Sequence, residues 1–383
     1  MNSVGFIRTE YLILPEIFLY NEITSLKKFN PVVLTHETHN LDVFPHQPVI
    51  TLNIWADELA LRKGFSLGRP ISTLKKLRHY LKAKRYFHDI IQKHNIRILH
   101  AEFGPEGVYG LFIKESFGLP LVTSFRGYDL YLEPVRNPGI YDELFEKGDL
   151  FLFRSKSMLK DAVKIGCPND RSRVHHTSLD LNRLPYAARK LPSKRKPIKL
   201  LSVGRFVEKK APLLAVEVFS KLCETRENLE FTMVGGGPLF EETKGMVKKC
   251  GLEGKVHLPG FVPYADVVSE MLSSHIFFMP FQTASDGDKE GIPNSLKEAS
   301  ATGMPVVSTF HSGITEAVID GKTGLLASEG DVEGLVDKLS YLIENQDLWG
   351  QFGMAGRELM EEEFDIIKET EKLEGFYSEL LGE

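Results

Sequence analysis

Apolar and polar positions fall into two alternating registers along the chain. Short apolar runs at 4–7, 31–35, 96–101, 120–125, 149–153 and 172–176 predict strands. Between them, 16–28 carries Ile17, Ile23 and Leu26 at helical spacing, and 107–117 reads as a second helix. The segment from 36 to about 70 is less regular. It is followed by a basic helix with Ile71, Leu74, Leu77 and Leu81 on one face, continuing to Lys93. The alternation stops at 186–197 and then restarts. Strands are predicted at 199–203, 230–234, 255–258 and 275–280, with helices at 211–225, 239–250, 264–273 and 331–344 and a helical region running to Glu383. Strands alternating with helices predict parallel, doubly wound sheets, here two in tandem.

The break at 186–197 is polar, basic and bounded by prolines, which reads as an interdomain linker. The implied organisation is a first domain at 1–185, the linker, a second domain at 198–364 and a terminal helix at 365–383. The length of 383 residues suits two domains, and 42% hydrophobic with 26% charged residues gives each a core. Charge separates the halves: the first 185 residues sum to +5 and the remainder to −10. The basic amphipathic stretch 71–86 could lie on an anionic membrane surface or be an ordinary domain helix. The basic linker needs no nucleic-acid partner. No apolar run approaches the ~18 residues of a spanning helix. The first residues are too polar for a signal peptide, and Cys167, Cys223 and Cys250 lack metal-like spacing. Reduced thiols and a cytoplasmic location, peripheral on the membrane face, are the expectation.

The richest chemistry lies at 286–298. An apolar strand ends at Pro280, a loop containing Gly287 and Gly291 follows, and a helix begins near Pro293, a residue suited to a first helical turn. A helix N-terminus in that place offers free N–H groups and a positive dipole end to an anion. Glu290 and Glu298 flank it. Carboxylates beside an anion site make sense when the ligand carries hydroxyls as well as phosphate. Glu298 alone would read as a solvated helix carboxylate.

The pattern Glu290-Gly-x-Pro-x4-Glu298 resembles the signature of the retaining glycosyltransferases of family 4, and His100-Ala-Glu-Phe-Gly104 is similar to the His-Ala-His-Phe-Gly strand end of their exopolysaccharide-type subgroup. That resemblance implies a GT-B fold, two doubly wound Rossmann-like domains facing a central cleft, with the last helix crossing back to the first domain. It implies a nucleotide-sugar donor, UDP- or GDP-linked, and a lipid-linked or polysaccharide acceptor. Arg205 and Lys210 match the family's Arg and the Lys five residues on, which hold the donor diphosphate. Fixed cations there would stabilise the negative charge that grows as the sugar–phosphate bond breaks. By the same resemblance Glu290 binds hexose hydroxyls, Glu298 the ribose, and the backbone of Gly291, Ile292, Pro293 and Asn294 the sugar and phosphate. Gly313 and Glu316 form a second edge of the pocket.

The first domain departs from the family. The usual His of a His-Gly-x-Asp motif is Arg126 here, ahead of Asp129, and Glu102 replaces the second His of His-Ala-His-Phe-Gly. Glu102 and Arg126 are expected to pair across neighbouring strand ends; alternatively Arg126 receives an anionic sugar or simply holds Asp129. Asp286-Gly-Asp288 resembles a metal-binding Asp-x-Asp, but with Arg205 and Lys210 present no metal or other cofactor is expected. Gly235-Gly-Gly-Pro238 lacks the third glycine of a dinucleotide fingerprint, since Phe240 stands there. His175-His176 reads as structural. Rival functions are a non-catalytic nucleotide-sugar binder, a sugar-nucleotide epimerase and an NAD-dependent oxidoreductase.

Overall fold

The computed structural model describes residues 1–13, 17–52, 70–190, 192 and 196–383; of 70–80 only the backbone is described. Part of the 186–197 segment, Glu16, and the side chains of Ile71, Leu74 and Leu77 therefore lie outside the described residues. The chain divides into two compact units. One comprises 1–154, 159–175 and 366–383; the other comprises 155–158 and 176–365. The 176–190 segment thus belongs to the second unit, as does the described part of the segment that reads as a linker.

The first unit is built on a seven-stranded sheet, all parallel, in the order β3-β2-β1-β4-β5-β6-β7. Its strands are β1 Ser3–Tyr11, β2 Asn30–Thr38, β3 Val49–Thr51, β4 Ile96–Glu102, β5 Leu121–Phe125, β6 Leu150–Phe153 and β7 Ser172–Val174. The short β3 is absent from the sequence reading because its three residues carry too little pattern. The Gly104–Phe117 helix starts three residues earlier than its apolar spacing indicates, directly after Phe103, which adopts φ 82°. Between Gly127 and Gly148, prolines and glycines cut the chain into helices too short to show a period: Tyr128–Tyr131, Glu133–Arg136 and Asp142–Lys147. The first helix, Ile17–Thr24, ends before residue 28. The carboxylate of Glu374 accepts the N–H groups of Lys27 (2.6 Å) and Lys28 (2.5 Å), so these amides point away from a helical path.

The core of this unit joins Val4, Phe6, Val33, Ile98 and Leu152 to Leu373 and Tyr377 of the Ile366–Leu381 helix. Each such side chain contributes roughly 1.5–3 kcal/mol by leaving water. The Pro70–His94 helix sends Ala83 and Phe87 inward, whereas Leu81 is 54% exposed. Leu81 therefore does not share a buried stripe with them.

The second unit has a six-stranded parallel sheet ordered β10-β9-β8-β11-β12-β13. Its strands are β8 Ile198–Val203, β9 Leu229–Val234, β10 Val256–Gly260, β11 Ile276–Phe278, β12 Val306–Thr309 and β13 Gly324–Ala327. Two layers of apolar side chains cover its faces, one around Phe219, Phe231 and Trp349, the other around Phe277, Leu296 and Met360. The strand order reverses between β8 and β11, so the loops leaving these two strands diverge and open a crevice at their carboxyl ends. Residues 204–210 follow β8 and residues 279–293 follow β11. That topology brings the two motifs together.

At the carboxyl ends of the first unit's strands lies a buried ionic cluster. Arg126 donates to Glu102 through Nε (2.9 Å) and Nη2 (2.5 Å), and Arg126 also donates to Glu22 (3.3 Å). Arg154 donates to Glu22 (3.3 Å) and to His175 Nδ1 (2.8 Å). His100 bridges Ser124 Oγ (2.7 Å) and Tyr377 Oη (2.5 Å). Burial raises the Glu22 carboxyl, but Arg154 and then Arg126 outweigh it and hold it far below the usual carboxylate range. Burial drives His175 down to about 3.

His175 therefore stays neutral in the fold at pH values where the unfolded chain protonates it. Its ordinary value is 6.5, so stability is full above that and falls as pH drops toward 3. We expect the urea-unfolding free energy to decline by up to about 1.4 kcal/mol per pH unit from this group across that window. His175→Gln should flatten the slope while lowering stability at neutral pH; an unchanged slope would contradict the assignment.

Candidate functional site

The site is assembled at the carboxyl ends of β8 and β11. β8 ends at Val203, and Gly204 follows because a side chain there would meet Met279 at 2.7 Å and the stem of Lys210 at 3.1 Å. Gly235 adopts φ 129°, and a Cβ on it would fall 2.0 Å from the Gly204 carbonyl oxygen. The triple glycine thus serves close backbone approach beside the site. A short turn, Glu208–Lys210, then meets the 282–291 loop at three successive positions. Glu208 accepts the N–H (2.9 Å) and hydroxyl (2.7 Å) of Ser285. Lys209 Nζ pairs with Asp288 (2.9 Å), and Lys210 Nζ pairs with Glu290 (2.9 Å). Lys210 also lies over the Phe281 ring at 5.3 Å.

Glu290 has little exposure, 17% for its side chain. Burial pushes its carboxyl up, but Lys210 and then Lys209 pull it further the other way, leaving it below the ordinary range. It is therefore ionised, and Lys210 is its chief counter-charge. Arg205 is exposed, and among the described residues no side chain holds its guanidinium.

Pro293 stands at the cap position just before the Asn294–Ala301 helix, and no side chain caps that helix. Its first amides are therefore available to an anion. Gly291 is buried, with Met158 Cε 3.5 Å from where a Cβ would sit, and Ile292 packs on the second core layer. Glu298 is half-buried and accepts from Tyr264 Oη (3.1 Å). Burial raises its carboxyl, with Tyr264 opposing. Gly313 is required by close packing, since a Cβ there would meet Ser155 at 2.7 Å and Ile292 at 2.8 Å. Glu316 is engaged within the fold. It accepts the N–H of Lys156 (2.8 and 3.1 Å) and of Ser157 (3.4 Å), and its Oε2 lies 3.4 Å from His176 Nε2.

Sequence reasoning did not find Lys209, Asp288 as its partner, His311 or Glu329. His311 Nε2 accepts the Glu290 N–H (3.0 Å), and His311 Nδ1 is 2.6 Å from Glu329. A usable signal existed: both are polar residues two places beyond the carboxyl ends of β12 and β13.

In the first unit, Glu102 and Arg126 are ion-paired, both almost fully buried. Arg126 is also held by Glu22 and stacks over Phe18 (4.6 Å). Its charge is already answered twice, which leaves it poorly placed to receive an anionic sugar. Asp129 is fully buried and accepts the N–H groups of Gly104 (2.9 Å), Arg126 (2.9 Å) and Gly127 (2.8 Å). It clamps backbone, and no salt bridge joins it to Arg126 among the described residues. His175 and His176 contact Arg154 and Glu316 respectively, as structural imidazoles.

Residues 187–359 match the family model for glycosyl transferases group 1, and the chain carries a domain of that family. It is 29% identical over 371 residues, 88% of this chain and 90% of the other, to WcaL of Escherichia coli K12, named as a colanic acid biosynthesis glycosyltransferase. It is 32% identical over 246 residues to the amylovoran biosynthesis glycosyltransferase AmsK of Erwinia amylovora, covering 64% of this chain and 60% of that protein. Among solved structures, Anabaena HepE in complex with UDP superposes with a TM-score of 0.78 at 16% identity, over 99% of this chain and 100% of that one. Sucrose-phosphate synthase of Thermosynechococcus elongatus gives 0.72 at 17% identity over the full length of both chains. The fold is GT-B.

Replacing Lys210 by Met should leave Glu290 buried without its main counter-charge. Its carboxyl is then expected to titrate above the ordinary carboxylate range, read by NMR on labelled glutamate. A Glu290 titration unmoved by the change would show that Lys210 does not govern it.

Proposed function

We propose that the chain is a retaining, metal-independent glycosyltransferase of family 4. It moves a hexose-type sugar from a UDP- or GDP-linked donor to a lipid-linked or polysaccharide acceptor in surface polysaccharide biosynthesis. The observation that carries this reading is the meeting of Lys210 and Glu290 between two strand ends, beside exposed Arg205 and an uncapped helix start. A nucleotide-sugar matches each part. Its diphosphate suits Arg205, Lys210 and the uncapped N–H groups at the start of the Asn294–Ala301 helix. Its sugar hydroxyls suit Glu290, and Glu298 suits the ribose. The relatives named for colanic acid and amylovoran biosynthesis support the acceptor class, and the UDP complex among the structural neighbours supports the donor class.

In this mechanism the bond between the sugar's anomeric carbon and the phosphate oxygen breaks while the acceptor hydroxyl bonds to the same face. The acceptor proton passes to the departing phosphate oxygen. Arg205 and Lys210 stabilise the charge on the leaving diphosphate, and Glu290 orients the sugar. Lys209 already neutralises Asp288, so the Asp286/Asp288 pair is a poor cation site. The donor's charge is answered by side chains instead. No described helix is long and apolar enough to cross a membrane, and a lipid-linked acceptor would then be met at the surface, with 71–86 as the proposed contact.

Thermal-shift screening across UDP- and GDP-sugars should single out the donor; a ligand at a hundredfold excess over its Kd adds about 2.7 kcal/mol of stability. Arg205→Ala, Lys210→Ala and Glu290→Ala should each retain the wild-type circular dichroism spectrum. Each should lose roughly 10²–10³-fold in transfer rate. Wild-type rates in all three variants would remove these residues from the mechanism. Donor binding without transfer or hydrolysis would favour a non-catalytic binder.

A further inference from the structure

A loop that presents a carboxylate to a sugar needs its backbone fixed as well as its side chain. Residues 283–290 leave the sheet after β11, and both ends of this segment lead to a single carboxylate. Glu329 Oε2 accepts the N–H of Thr283 at 2.8 Å. Glu329 Oε1 lies 2.6 Å from His311 Nδ1, and His311 Nε2 lies 3.0 Å from the Glu290 nitrogen. The Glu290 N–H can only donate, so Nε2 is the accepting nitrogen. Nδ1 then carries the proton and donates to Glu329. The imidazole is 1% exposed and stacks beside Phe281, with ring centroids 6.5 Å apart and planes 14° apart. Phe281 is itself fixed, because Thr309 Oγ1 accepts its N–H (3.0 Å) and donates to its carbonyl (2.7 Å). Loops leaving three neighbouring strands, β11, β12 and β13, are thus tied at one point.

The opposite side of the loop is held by Glu208, Lys209 and Lys210 through side chains. Those contacts include the very pair that a diphosphate would compete for. The His311–Glu329 contacts do not involve Lys210 and can persist when it turns to a ligand. We propose that His311, oriented by Glu329, is a positioning residue for Glu290. It acts through the Glu290 backbone and holds the carboxylate in register after Lys210 is drawn away. This role rests on the glycosyltransferase reading, but its structural half stands independently.

Two substitutions separate positioning from simple packing. In His311→Gln, the side-chain oxygen reaches the Nε2 position and still accepts from Glu290 N–H. In His311→Asn, the shorter amide reaches only the Nδ1 position and engages Glu329 alone. Amide hydrogen exchange of the full chain, read by mass spectrometry over residues 283–291, is the first measurement. His311→Asn should speed exchange there about tenfold, the loss of one hydrogen bond of ~1.4 kcal/mol. The rest of the unit should be unchanged, and His311→Gln should stay within about threefold of wild type. In transfer assays with the donor found by screening, kcat should fall about tenfold in His311→Asn with little change in donor KM, and recover in His311→Gln. Equal exchange in the two variants, or exchange raised throughout the unit, overturns the proposal. Normal kcat in His311→Asn removes the positioning role alone. Absence of transfer by the wild-type chain with every donor removes the function and leaves the exchange result to decide the tether.

Discussion

The Lys210–Glu290 ion pair is the interaction on which the second unit's site depends. It joins the loops leaving β8 and β11, the two strands between which the sheet changes direction. Taking two charges out of water is costly, and a buried pair of this kind is weak evidence for stability. Under the proposed function it is a charge arrangement awaiting exchange. A ligand carrying both anionic oxygens and hydroxyl donors can answer the lysine and the glutamate separately. A ligand with only one of these features leaves a buried charge without a partner.

The surroundings would keep that exchange local. The loop bearing Glu290 is tied to the Glu208–Lys210 turn on one side and to His311 and Glu329 on the other. Ala211, just after Lys210, and Ser312, just after His311, both adopt φ 42°, unusual for residues with a Cβ. Such conformations persist where the neighbouring contacts over-determine them. The first unit achieves rigidity differently, through a buried network of Glu22, Glu102, Arg126 and Arg154. Removing one member would leave a buried charge unanswered, at a cost of about 3–5 kcal/mol.

Much of this was legible in the sequence, for identifiable reasons. The strands of the second unit are nearly continuous apolar runs, and the Tyr264–Ser273 helix was placed to the residue. Arg205, Lys210, Glu290 and Glu298 stand out in the sequence because their spacing is a motif, and of these the structure joins Lys210 to Glu290. The pairing of Glu102 with Arg126 could be anticipated because both stand at the ends of adjacent strands, β4 and β5. Asp129 was harder, since nothing in its spacing reveals that its partners are three backbone amides. His311 and Glu329 escaped because their meaning is set by sheet order: β12 and β13 must lie beside β11 before their loops can reach Glu290. The short elements between Gly127 and Gly148 carry no period for a pattern to show.

The most direct measurement is a crystal structure with the UDP- or GDP-sugar that the chain binds. The account predicts the diphosphate against Arg205, Lys210 and the start of the Asn294–Ala301 helix. Lys210 Nζ should have left Glu290 for a phosphate oxygen at about 3 Å, and the Glu290 carboxylate should accept from sugar hydroxyls. A diphosphate bound elsewhere, with the Lys210–Glu290 pair intact, would contradict it.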